Sequence, residues 1–274
     1  MLKKSKYILL FLLLATVLLA LAGNRLFHSE PEIIFLDVGQ GDAILIQQGT
    51  TQILVDGGPG AAVVERLGEY MPFWDRTIEL VIMSHAHSDH YLGLIDVFRR
   101  FRVNNFMWSG VEEHAEDFSY FQELVAAENC EIILGAANTD MQMGAIFLDV
   151  LYPFSISDFI VAPPENLNNS SLVIKVTGPH HTVMLTGDAE TEVETLLVER
   201  NLNLAADILK AGHHGSKTSS AEIFLQAVSP QQGIFCAGAD NKFNHPATVI
   251  VERYAAQGIT TQTLFETGDI RFTL

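Results

Sequence analysis

His85-Ala86-His87-Ser88-Asp89-His90 packs four metal-ligand side chains into six residues, directly after the apolar run Leu80-Val81-Ile82-Met83. Three imidazoles and one carboxylate form the ligand set that zinc and its first-row neighbours prefer. The run reads as a strand that delivers the ligands at its end, and Tyr91 to Ile95 reads as the start of a helix. Along an extended chain, positions i and i+2 point the same way, so His85 and His87 share one direction. Asp89 and His90 then turn toward a second position, so one short loop can serve two adjacent ions. A polar surface loop is the bland alternative, but ten histidines in 274 residues do not gather this densely by chance.

Other strand ends carry the same kind of chemistry. Val38-Gly39-Gln40-Gly41-Asp42 joins two apolar runs, with glycines that let backbone approach a site closely. Leu54-Val55-Asp56-Gly57-Gly58 ends a strand in a carboxylate able to accept an imidazole N–H, the outer partner that metal-bound histidines need. Met184 to Asp188 repeats the pattern, and a carboxylate there can bridge two ions through its two oxygens. His213 and His214 sit between glycines after the run Ile208-Leu209-Lys210, followed by Ser216 and Lys217. Asn244 and His245 precede Pro246 and are weaker signals. Lys210, Lys217 and Lys242 fall around these loops and read either as a basic rim suited to phosphate or as plain surface charges.

Charge narrows the partners. The chain carries 16 basic and 33 acidic side chains, a formal net of −17. Lys3, Lys4, Lys6 and Arg25 account for four of the basic ones and precede every acid, so residues 30–274 hold 12 against 33, a net of −21. Such a body repels a long phosphodiester polymer at a distance, whatever metal ions do locally. Cys130 and Cys236 fit no paired metal motif and are read as two thiols or one disulfide.

Three lysines precede the uncharged run from Tyr7 to Gly23, and Ala20-Leu21-Ala22 resembles a signal-peptidase site. Seventeen residues lie at the lower edge of a bilayer span. Residues 1–27 are therefore read as a membrane anchor or a cleaved signal peptide, with the anchor favoured. The lysine asymmetry puts the N-terminus in the cytoplasm and residues 28–274 outside it, membrane-anchored or secreted.

Short strands are expected at 33–36, 43–47, 53–55, 147–151, 171–176, 182–186, 206–210 and 233–236. Helices are expected at 61–70, 91–101, 115–128, 190–200, 220–227 and, last, 246–257. The Pro- and Asn-rich stretch from Tyr152 to Asn169 reads as an exposed loop near the site or lidding it. Strands arrive in two batches, each followed by helices, which suggests two sheets packed face to face with helices outside.

As an ordered set, these motifs resemble the metallo-β-lactamase fold superfamily, whose hallmark is the H-x-H-x-D-H loop. The set runs Leu36 to Asp42, Val55 to Gly58, Ser84 to His90, Asn168 to Val173, Leu185 to Asp188, Lys210 to Ser216 and Asn241 to Pro246. It is most similar to the extracytoplasmic domain of the ComEC family of DNA-uptake competence proteins. The resemblance implies an αββα sandwich with two divalent ions, Zn or Mn, between the sheet edges. It assigns His85 and His87 to one ion, Asp89 and His90 to the second, Asp188 as the bridge, and one of His213 and His214 to complete a shell. The superfamily's middle histidine is missing: between His90 and His180 the only histidine is His114, and Asn168-Asn169-Ser170 stands in the neighbourhood instead. His245 is the candidate to complete the poorer shell. Members of the ComEC family also carry a many-helix channel, whereas this sequence has one hydrophobic segment.

The expected activity is metal-dependent hydrolysis of a phosphodiester, small or nucleic acid, with Asp89, His213 and His214 as catalytic candidates. Asp42, Asp56, Asn168, Asn169, Ser216, Lys217 and His245 are expected behind the ligands or against substrate. The competing readings are a non-catalytic metal-binding module of an uptake or envelope complex, and a lactam or thioester hydrolase.

Overall fold

A computed structural model describes residues 7, 11–14, 16 and 29–274 of the chain. Most of the Tyr7 to Gly23 segment lies outside these residues. Among the described residues no helix is long and apolar enough to cross a membrane.

The first half lays down β1 (Glu32–Phe35), β2 (Ile44–Gln48), β3 (Thr51–Val55), α1 (Ala62–Tyr70), β4 (Thr77–Met83), α2 (Ser88–Arg100), β5 (Arg102–Trp108), α3 (Glu116–Glu128) and β6 (Glu131–Leu134). The second half continues with β7 (Met141–Met143), β8 (Ile146–Tyr152), α4 (Ile156–Val161), β9 (Val173–Thr177), β10 (Thr182–Leu185), α5 (Thr191–Glu199) and β11 (Ile208–Lys210). It ends with α6 (Glu222–Val228), β12 (Gln232–Phe235), α7 (Thr248–Ala256), β13 (Thr260–Thr263), the short α8 (Leu264–Thr267) and β14 (Ile270–Thr273). One sheet has the order β14-β1-β2-β3-β4-β5-β6 and the other β13-β12-β11-β10-β9-β8-β7. Two sheets with helices outside make the αββα sandwich expected from the sequence.

Both faces of the central strands are covered, which is why they read as apolar runs rather than alternating patterns. Ile33, Phe35, Ile53 and Ile82 point between the sheets, where they meet Leu148, Val176, Val183 and Ile208. Their neighbours Ile34, Leu54 and Val81 turn outward beneath α1 and α2, against Leu67, Leu94 and Val97. Truncating a middle-layer residue such as Ile82 to alanine costs about 2–5 kcal/mol.

Helix α2 shows how local sequence aims the site. Tyr91, Leu94, Val97 and Phe98 form its buried stripe, Asp89 sits in its first turn, and Arg99 and Arg100 close its last, each sign matched to the helix dipole. A Cβ at Gly93 would lie 1.8 Å from the Gly57 carbonyl oxygen, so only glycine lets α2 pack this closely on the loop after β3.

The stretch from Tyr152 to Asn169 corrects one expectation. It is not an open loop: it carries α4 and a 3-10 turn at Leu167–Ser170. Tyr152 and Phe159 are buried in the outer core of the second sheet, as are Asn168, Asn169 and Ser170 in the turn. Nor is α7 the last element, because β13, α8 and β14 follow it and β14 returns to pair with β1. Strands β5 and β6 also escaped the sequence pattern. Both cysteines are free thiols, Cys236 buried and Cys130 half-buried.

Candidate metal centre

The C-terminal ends of β3, β4, β10 and β11 meet at one end of the sandwich, and the motif side chains converge there. Asp188 is the focus. Its Oδ2 lies 3.3 Å from His214 Nε2, 3.4 Å from His90 Nε2, 3.8 Å from His213 Nε2 and 4.0 Å from His85 Nε2. Asp89 Oδ2 lies 3.3 Å from His214 Nε2. One donor atom each from Asp89, His90, Asp188 and His214 fall within 4.8 Å of one another. Beside this group His85 Nε2 and His87 Nδ1 face each other at 3.0 Å.

The supporting contacts fix these rings. Asp56, in the left-handed region at φ 59°, accepts bonds from the Ser84 N–H and Oγ, both at 2.7 Å, and pairs with His90 Nδ1 at 2.9 Å. That pairing turns His90 Nε2 toward Asp188. The Asp188 N–H donates to Ser171 Oγ at 3.0 Å. Gly41 presses on the first turn of α2, where an added Cβ would lie 2.2 Å from the Asp89 carbonyl oxygen. His213 and His214 occupy left-handed conformations in succession, at φ 48° and 54°, each costing roughly 1–2 kcal/mol.

Lys210, grouped by sequence neighbourhood with the rim lysines, is not on a rim. It is 0% exposed, ion-paired with Asp42, 3.5 Å from Asp188 Oδ1, and donates to the Gly187 carbonyl at 2.6 Å. Its strand lies between β10 and β12, so the stem is enclosed and the ammonium needs these acids. Asp42 is thereby an ion-pair partner at the back of the site, also 3.3 Å from His214 Nδ1.

The remaining candidates separate. His213 is 25% exposed and lies at the cavity, its Nδ1 3.2 Å from Glu190 Oε1 and 3.3 Å from Asn168 Nδ2. A cavity of about 270 Å³ is lined by Gln40, His87, Asp89, Asn168, Asp188, His213, His214, Phe243 and His245, among others. His245 stacks on Phe243 and stands 5.5 Å, ring to ring, from His213. Asn169 turns away and accepts the Glu190 N–H at 3.1 Å, positioning the residue that pairs with His213. Ser216 bonds Thr218 within its own turn, and Lys217 is exposed without lining the cavity. His114 is exposed on the loop before α3. Ser171, Glu190 and Phe243 complete the surroundings; Ser171 and Phe243 fall within the Asn168–Val173 and Asn241–Pro246 motifs but had no role of their own, and Glu190 carried no signal.

Electrostatics divides the imidazoles. Burial, aided by the neighbouring His90, holds His85 well below the ordinary histidine value, and His87 is lowered for the same reasons. Burial also opposes charge on His90 and His214, but Asp188, with Asp56 or Asp42, outweighs it and raises both well above that value. Burial would raise Asp42, yet Lys210 and His214 hold it at about 2. Asp188 likewise stays well below the carboxylate range, because His214, His90 and Lys210 outweigh its desolvation.

These residues fit divalent metal. His90 Nε2 and His214 Nε2 are buried, make no hydrogen bond, and aim at one carboxylate oxygen. Buried polar atoms left unsatisfied at one point are an arrangement that a cation resolves. Asp42, Asp56 and His90 form a second cluster of donors, but Lys210 and the His90–Asp56 contact already occupy it.

The profile of the metallo-beta-lactamase superfamily matches residues 36–239, spanning the motifs from Leu36–Asp42 to Lys210–Ser216. The chain belongs to that superfamily. It is 28% identical over 282 residues to ComE operon protein 3 of Bacillus subtilis, an alignment covering 94% of this chain and 35% of that protein. It is also 28% identical over 251 residues to competence protein ComA of Neisseria gonorrhoeae, covering 90% and 33%. The chain thus spans about a third of the length of these curated relatives. The solved structure of CmlA, a diiron beta-hydroxylase from Streptomyces venezuelae, superposes with a TM-score of 0.59 at 15% identity over 90% of this chain and 54% of that one. That likeness establishes the fold, and a fold hosts many chemistries. Fold and donor cluster together are those of a metal-dependent hydrolase.

Proposed function

We propose that the protein is a membrane-tethered phosphodiesterase with two divalent ions, Zn or Mn, working outside the cytoplasm. The observation that carries the reading is the convergence of three buried imidazoles, His85, His90 and His214, on Asp188, with Asp89 beside His214 and His213 at the cavity. Asp89, His90 and His214 would hold one ion, and His85 and His87 the other, with Asp188 placed to serve either. When bound, such a pair supplies Lewis acidity and an activated water. His213 is left free of the ligand set. Glu190 fixes its Nδ1, so its Nε2 can donate a proton to the leaving oxygen or stabilise charge on phosphorus. A module built only to hold metal has no use for an oriented imidazole at the cavity.

The resemblance of the motif set to the DNA-uptake competence family favours a phosphodiester. The net charge of −21 favours small or short substrates over long polymers, because its repulsion reaches beyond the site. The tether rests on the sequence from Lys3 to Gly23. The test is purified protein supplied with Zn²⁺ or Mn²⁺ and offered bis-p-nitrophenyl phosphate, DNA and nitrocefin. Phosphodiester hydrolysis is expected. Turnover of nitrocefin alone selects a lactam hydrolase, and no turnover with either metal selects the binding module.

A further inference from the structure

We propose that a corner built from Phe73, Trp74 and the arginines beside them docks on an anionic lipid surface, so that the metal centre faces away from the bilayer. The orientation rests on the tether of the proposed function.

Phe73 and Trp74 lie in the loop between α1 and β4, 83% and 59% exposed, with rings edge to face at 4.8 Å. Among the described residues no core residue covers them. Aromatic side chains, tryptophan above all, gather at the membrane interface, where a flat apolar body meets polar headgroups.

The strand register shows which end of the molecule this is. The β3–β4 pairing Ile53↔Leu80 puts Thr50 level with Thr77, and Arg102 pairs with Thr77 on β5. Gln48 Nε2, beside that hairpin, donates to the Ser29 carbonyl at 3.1 Å. The chain therefore enters the fold at the end of the sheet that carries Phe73 and Trp74. The metal ligands follow the opposite, C-terminal end of β4. Between Gly23, the last residue of the apolar run, and Ser29 the backbone reaches at most about 20 Å. A tether this short holds the Phe73–Trp74 end against the bilayer.

Charge agrees. Arg76, Arg99, Arg100 and Arg102 are exposed at this corner, a third of the 12 basic residues in a body of net −21. Arg102 N–H donates to the Arg76 carbonyl at 2.7 Å, which keeps the two side by side. Among the described residues neither forms an ion pair. The nearby acids are engaged: Asp75 caps Thr77, Asp96 faces Arg99 and Arg100 at 3.8 and 4.0 Å, and Glu128 accepts the Val103 N–H. Basic residues flanking exposed aromatics are the pattern that anionic headgroups recognise.

The full chain carrying Trp108→Phe keeps Trp74 as its single tryptophan. It would be reconstituted into vesicles of phosphatidylglycerol and phosphatidylcholine with brominated acyl chains, with flotation reporting the tether and Trp74 emission reporting docking. A floating chain with blue-shifted, quenched Trp74 is expected. Adding Arg76→Ser and Arg102→Ser should lower the docked-to-undocked ratio by roughly tenfold. A chain that floats with water-like, unquenched Trp74 overturns the docking and leaves the tether standing. A chain that does not float removes the tether and the docking with it. Quenching that is equal in pure phosphatidylcholine overturns the anionic-lipid assignment.

Discussion

The two halves of the proposed metal centre are built unequally. On one side, Asp89, His90 and His214 surround Asp188 with His90 and His214 buried, backed by Asp56 and Asp42. On the other stand His85, which is buried, and His87, which lines the cavity beside Asn168, itself bonded to Glu190. The first half has three donors and is backed by outer carboxylates. The second is left with two imidazoles and a share of Asp188. If two ions bind as proposed, the contrast teaches that a shared bridge would not imply shared affinity: the number of donors around it would set the strength of each position.

The largest effect comes from removing what both halves share. Asp188→Ala should lower hydrolysis on the order of 10³-fold or more with the fold retained by circular dichroism, as when a preorganised electrostatic element is lost. Wild-type turnover in that variant would show that the halves do not meet at Asp188. Next, metal titration of the wild type should resolve two unequal steps. His87→Ala should delete the weaker step alone, and His214→Ala the tighter; the reverse assignment would overturn the ranking.

Protons sharpen the comparison further. With no cation bound, His90 and His214 hold protons at neutral pH, since their carboxylate neighbours raise them against the pull of burial. A cation must displace those protons, so affinity at the tighter position should rise with pH by up to about tenfold per unit for each proton released. His85 and His87 are held neutral by burial, so the weaker position should release none and stay flat from neutral pH upward. Calorimetry in two buffers of different ionisation enthalpy measures this directly, and equal proton release from both steps would erase the distinction. A smaller effect is expected from Asp56→Asn, which frees the His90 ring: the tighter step alone should weaken about 10–100-fold.

Legibility in the sequence followed contiguity. The His85–His90 loop, Asp188 and the His213-His214 pair each sit at the end of an apolar run, so local pattern alone exposed them. The αββα layering was legible for the same reason. What did not show was whatever depends on contacts between distant segments. Lys210 looked like a surface charge because no local rule says that Asp42, from another sheet, will meet it. Glu190 and Ser171 gain their roles only when β9 and β10 come together. Strand β5 hid because Arg102, Asn104 and Asn105 interrupt its apolar residues, and β14 because its partner β1 lies at the other end of the chain.

The left-handed dipeptide at His213-His214 has an evolutionary corollary. Glycine occupies that backbone region without steric penalty, so His213→Gly should relieve strain and raise thermal stability by about 1 kcal/mol while removing the imidazole at the cavity. Selection for heat resistance and selection for turnover therefore pull this position in opposite directions. A variant library sorted for melting temperature alone should accumulate glycine there and lose activity as it does so. The strain marks a place where improving the scaffold dismantles the tool.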